Sequence, residues 1–184
     1  MSTDVVDLIM QDHREVERMF EQLRADPACR AGLTPVLTTL LAAHSRAEEA
    51  EVYPVAKDEA GQAEEVAHSQ EEHLLADQLL AELAGCDPDS AAYDESLAKL
   101  VEAVSHHVEE EESTVLPGMR SGLTSQRRAE LGQAFLASRA EHLGDQPEDI
   151  TKQALEQQAR NADIPIGDRS KAELEEELGA HASE

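Results

Sequence analysis

HSRAEEAEVYP (44–54) and HVEEEESTVLP (107–117) align without a gap, and His, Glu, Glu, Val and Pro coincide. In each stretch a glutamate follows the histidine by four residues, giving His44–Glu48 and His107–Glu111. In a helix that spacing puts both side chains on one face, a turn apart. The likeness extends backwards. QDH (11–13) stands one helix and a loop before His44, and EEH (71–73) stands in the same relation to His107. The chain therefore reads as two αα-hairpins with one donor layout, a repeat suited to two related half-sites.

Apolar periodicity predicts helices over about 3–24, 32–58, 62–84 and 90–116. ADPACRAG, DEAG and GCDPDS separate them, and each holds Gly, Pro or Asp, residues that stop or cap helices. Such short connections favour antiparallel neighbours, so the expectation is an all-α, up-down-up-down four-helix bundle. A fifth helix, about 124–143, is expected outside it. The predicted division is 1–143 for the bundle with its extra helix and 144–184 for a small helical C-terminal tail.

Composition agrees. Hydrophobic residues make up 40% and aromatic residues 2%, with no Trp. A Leu-, Val- and Ala-built core suits helices better than a sandwich. The formal net charge of −25 repels phosphate backbones and anionic membranes, so no nucleic-acid partner is expected for the bundle. The same charge serves solubility and also concentrates cations. The first ten residues carry no basic region and no apolar run, and no stretch is long enough to span a bilayer, so the expected location is the cytoplasm. Cys29 and Cys86 do not make a disulfide framework. They fall in loops at one end of the bundle, where a redox-responsive pair is geometrically conceivable.

The chemistry lies in the stripes. Each bundle helix places one histidine, His13, His44, His73 or His107, where an apolar residue belongs. Burying four imidazoles without partners costs several kcal/mol, and a metal centre removes that cost. Imidazole and carboxylate donors on facing helices are how bundle cores hold paired iron or manganese, and the same donors admit zinc. The spacing alone is weak evidence in so acidic a chain. It recurs at His13–Glu17, His68–Glu72 and His106–Glu110, but Glu17, His106 and Glu110 fall off the stripes. His106 is the reserve candidate should the fourth helix be rotated. His68, His142 and His181 read as surface histidines.

On these residues the segment from about 4 to 120 resembles the hemerythrin-like, or HHE cation-binding, family. The resemblance implies two iron ions in an oxo- or hydroxo-bridged di-iron centre. His13, His44, His73 and His107 would be its terminal nitrogen ligands, with Glu48 and Glu111 as bridging carboxylates. The chain departs from oxygen-carrying hemerythrins at two places. Asp77 stands where they carry a further histidine, and the last carboxylate follows its histidine by four residues instead of five. Asp77, Glu51, Tyr53 or water would take the place of the lost nitrogen, or the position would stay open. Glu51 lies on the ligand stripe. Tyr53 lies off it and needs local unwinding to reach the centre.

An anionic or exchangeable ligand in place of histidine favours Fe(III) and opens a position. That inclines the reading toward hydrogen peroxide, handled in a catalase-like way, or toward O2 or NO, without reversible oxygen carriage. The competing class is a non-catalytic sensor of oxygen, nitric oxide or iron that acts through a protein partner, with the tail as output. Residues 149–178 resemble the helix-extended-helix module related to Rho N-terminal and SAP-like motifs. A peripheral appendage is the favoured reading of that tail, and its partner is unknown. Iron storage ranks low, because one bundle encloses no mineral cavity. No phosphate loop, nucleophile elbow or dinucleotide fingerprint is present.

Overall fold

The computed structural model describes residues 3–181. The described residues are helical with no strand. Four long rods form the bundle: α1 (Val5–Ala25); α2 (Arg30–Ala47), continued by α3 (Tyr53–Ala60); α4 (Ala63–Ala84); and α5 (Ala91–Ser113), continued by α6 (Val115–Gly122). α7 (Ser125–His142) lies against α1 and α2. The tail adds α8 (Lys152–Asn161) and α9 (Lys171–His181). Among the described residues no helix is long and apolar enough to cross a membrane.

Local chemistry sets the ends. The side chains of Asp4, Ser90, Thr124 and Thr151 each accept from a backbone N–H in the first turn of the following helix. Gly61, at φ +70°, closes α3 in the left-handed conformation that glycine adopts without strain.

Two rods are less regular than their periodicity predicts, and the repeated proline explains both. A proline in a helix clashes with the carbonyl four residues back and brings no N–H. Before Pro54 the chain widens into a π-turn over Glu48–Val52, where the Tyr53 N–H bonds to Glu48 O. Before Pro117 the rod breaks outright at Thr114, φ −124° and ψ −71°.

The bundle core is split. One apolar cluster includes Val16, Phe20, Leu37, Leu80, Leu83, Leu97 and Leu100. The other includes Val5, Ile9, Val52, Val66, Val115, Met119 and Phe135. His13, His44, Glu48, His73, His107 and Glu111 are all buried as well. The tail has its own small cluster of Ile150, Leu155, Ala159, Ile164, Leu174 and Leu178, packed on Leu74 of α4. Cys29 and Cys86 are free thiols. Each turns its Sγ to a carbonyl nearby in sequence, Gln22 O and Glu82 O, and they form no bond with each other.

Gly132 lets α7 approach the N-terminal segment so closely that a Cβ would run into the Thr3 carbonyl. Gly132→Ala is expected to cost about 1–3 kcal/mol in denaturant unfolding. Gly32→Ala, with nothing within 4 Å of its added Cβ, should be neutral or gain up to about 1 kcal/mol.

Candidate metal centre

Each of the four stripe histidines has its two ring nitrogens sorted in the same way. The Nδ1 atoms meet carboxylates: His13 with Glu112 at 2.9 Å, His44 with Asp12 at 3.2 Å, His73 with Glu49 at 3.1 Å and His107 with Glu72 at 2.9 Å. An ionised carboxylate only accepts, so each Nδ1 carries the proton. The Nε2 atoms turn inward. His44 Nε2 and His73 Nε2 lie 3.2 and 3.3 Å from the same oxygen, Glu48 Oε2. His13 Nε2 lies 3.3 Å from Glu111 Oε2, and His73 Nε2 lies 3.2 Å from His107 Nε2.

These inner atoms are where hydrogen bonding fails. His13 Nε2, His44 Nε2 and both carboxylate oxygens of Glu48 and of Glu111 are buried without a hydrogen-bond partner among the described residues. Orphaned buried polar atoms are rare and costly. Here they converge, and the donor set is the one that divalent iron, manganese or zinc takes up. Two buried groupings among the described residues bring ligand atoms within 4.8 Å of one another: His13, His44 and Glu48; and Glu48, His73 and His107. Glu48 belongs to both, as expected of a carboxylate between two ions. Glu111 lies outside both groupings but against His13. The residues present therefore fit a metal pair.

The outer carboxylates follow the repeat. Asp12 and Glu72 each precede the first histidine of a hairpin and hold the second histidine of that same hairpin. Glu49 and Glu112 are the second coinciding glutamates of the aligned stretches, and each holds the first histidine of the opposite hairpin. Sequence reasoning assigned none of these four a role. The signal was the coincidence of positions, hidden among 40 acidic residues.

The remaining candidates separate. Tyr53 is fully buried, stacks on the His73 ring at 5.3 Å, and its hydroxyl is 3.1 Å from His73 Nε2. The π-turn supplies the unwinding that brings it inward. Asp77 instead faces Arg46, with Nη1–Oδ2 at 3.8 Å. Glu51 is half-buried and enters no ligand grouping. His106 is 60% exposed beside buried His107, which fixes the register of α5.

The tail reaches the centre through Glu49. Gln158 of α8 donates to Glu49 Oε2 at 2.8 Å, and Asn161 donates to Glu49 O at 3.0 Å and to Gln70 Oε1 at 3.2 Å. Gln70 itself donates to Glu49 Oε1 at 3.0 Å. On the opposite side α7 holds Asp12 through an Arg139–Asp12 ion pair.

A model of the hemerythrin HHE cation-binding domain matches residues 4–118. The chain belongs to the hemerythrin HHE family. It is a cation-binding protein of a family that typically takes iron and binds small ligands such as O2. It is also 27% identical over 139 residues to a protein of Nostoc sp. (strain PCC 7120 / SAG 25.82 / UTEX 2576) described as a DNA nickase. The match covers 74% of this chain but 39% of that protein, so the chain spans well under half of its relative's length. No solved structure matches the chain.

Charges in this hemerythrin-like core are strongly displaced. Burial works against protonation of His44, but Glu48 and Asp12 outweigh it and push the imidazole up to about 10. Burial likewise opposes protonation of His73, and Glu48 with Glu49 raises it to about 10. Burial also opposes ionisation of Glu48, yet His44 and His73 hold it well below the usual carboxylate range. Burial, reinforced by Glu111, Glu48 and Glu49, keeps the Tyr53 phenol protonated. Burial and the Glu49 charge raise Asp77 to about 7, against the pull of Arg46.

Metal bound through Nε2 would need bare lone pairs there, and so would have to displace protons from His44 and His73. At pH 7.5, uptake by the metal-free protein should release protons, and affinity should climb with pH toward about 10. Calorimetry in buffers of different ionisation enthalpy reads this, and heats independent of buffer would contradict it. Because both groups lie above the ordinary histidine value of about 6.5, their ion pairing stabilises the metal-free fold fully below that pH. The stabilisation fades as pH rises through about 10. Glu49→Ala, which frees His73 Nδ1, should weaken metal binding by about 10–100-fold, as read by chelator competition.

Proposed function

We propose that the chain holds two iron ions and uses them on hydrogen peroxide, in a catalase-like manner, or on O2 or NO. His13, His44, His73 and His107 would bind through Nε2, and Glu48 and Glu111 would bridge. The observation that carries this reading is the uniform sorting of the imidazole nitrogens, with every Nδ1 on a carboxylate and every Nε2 turned into the space around Glu48 and Glu111, whose buried oxygens are otherwise unsatisfied.

Bound iron supplies the electrons that dioxygen and peroxide chemistry require. The chain's own residues supply the rest. Val16, Leu41, Ala76, Val104 and Val108 wall a cavity of about 20 Å³ beside the histidines, room for roughly one water-sized molecule. Their methyl groups exclude bulk water and larger substrates. The Tyr53 hydroxyl, kept protonated and 3.1 Å from His73 Nε2, offers a hydrogen bond or a proton beside that imidazole. With Asp77 turned to Arg46, the second half-site has fewer nitrogen donors than an oxygen carrier would, which favours reaction over reversible binding.

A second reading, a sensor whose output is the tail, draws on one observation. Glu49 bonds at once to His73 and to Gln158, so any shift of His73 is felt by α8. DNA cleavage is not carried over from the Nostoc relative. A chain with a net charge of −25 repels a phosphate backbone, and most of that relative lies outside the match.

Anaerobic Fe²⁺ loading of the full chain should give about two irons per chain and charge-transfer absorption on oxidation. Peroxide should then be consumed with oxygen evolved, two peroxides giving two waters and one dioxygen. Tyr53→Phe should keep the iron and slow turnover by about 100-fold. Iron without turnover would favour the sensor, and no iron would overturn both.

A further inference from the structure

Three of the four carboxylates behind the buried histidines are anchored by permanent donors. Arg139 pairs with Asp12, Arg14 with Glu112, and Gln70 and Gln158 with Glu49. Glu72 differs. Its Oε2 accepts from His107, but its Oε1 is buried without a hydrogen-bond partner. That oxygen stands 3.8 Å from His68 Nε2 and 3.8 Å from His106 Nε2. Glu110 closes the group, 2.9 Å from His68 Nε2 and 3.3 Å from His106 Nε2. The His68–Glu72 and His106–Glu110 pairs thus face each other across α4 and α5. Ligand atoms of all four residues lie within 4.8 Å of one another.

We propose that His68, Glu72, His106 and Glu110 bind a divalent transition-metal ion at the protein surface, as a third metal site. Ligands about 2.0–2.2 Å from a tetrahedral ion stand roughly 3.3–3.6 Å apart, and the observed separations straddle that range. Two imidazoles select a transition metal over Mg²⁺ or Ca²⁺, and two carboxylates neutralise the dication. The ion pair between His68 and Glu110 leaves Glu72 Oε1 unsatisfied, whereas a cation satisfies all four groups. The site opens on a cleft that α9 borders at Gly179. It also shares Glu72 with His107, so an ion held here is one carboxylate away from the buried centre. The proposal does not depend on which metal the buried centre holds.

Equilibrium dialysis of the metal-free full chain against Zn²⁺, in excess Mg²⁺ to occupy the diffuse acidic surface, tests it. Wild type should bind one more Zn²⁺ per chain than His68→Ala/His106→Ala. Both side chains are more than half exposed, so helicity should be unchanged. His44→Ala should lose buried metal and keep the surface ion. Equal Zn²⁺ in wild type and the double variant would overturn the proposal. A His44→Ala variant with undiminished total metal would count against the buried centre and leave the surface site standing.

Discussion

Everything in the centre depends on four hydrogen bonds from imidazole Nδ1–H to a buried or half-buried carboxylate. Each fixes a tautomer and a ring orientation, so that four Nε2 lone pairs point at one small volume. Lone pairs gathered there with two carboxylates repel one another unless protons or cations lie between them. The metal-free core answers with protons, which is why His44 and His73 are pushed so far up. A metal pair answers without the strain of charged imidazoles in an apolar bundle.

The outer carboxylates transmit that requirement to the rest of the fold. α7 holds Asp12 through Arg139, and the tail holds Glu49 through Gln158. Neither element carries one of the four buried histidines, yet each orders one of them at one remove. The tail is peripheral in its apolar packing and central in its polar contacts. Lys57 adds to the latter by donating to Arg160 O at 2.9 Å. The apolar clusters above and below the polar layer hold the helices at a spacing the histidines can bridge.

Much of this was legible in the sequence. The bundle, its helix order and the inward face of each histidine follow from apolar periodicity, because burial imposes that periodicity directly. The paired prolines were visible as a repeat, but a π-turn at one and a break at the other depend on how each rod continues. The roles of Asp12, Glu49, Glu72 and Glu112 were not readable one by one. A glutamate beside a histidine means little in an acidic chain until the tertiary fold brings it to an imidazole on another helix. Asp77 illustrates the converse. It occupies the helical position of a ligand, and Arg46 draws it elsewhere. The reach of Gln158 and Asn161 to Glu49 is a contact over more than a hundred residues, which no local pattern encodes.

The central claim is that the inward Nε2 atoms and Glu48 hold a pair of metal ions. Anomalous diffraction at the iron edge from crystals of iron-loaded full chain tests it most directly. The account predicts two peaks about 3.5–4 Å apart, flanking Glu48, each bonded to Nε2 atoms while every Nδ1 stays on its carboxylate. A single peak, ligation through Nδ1, or iron absent from the space between His13, His44, His73 and His107 would contradict it.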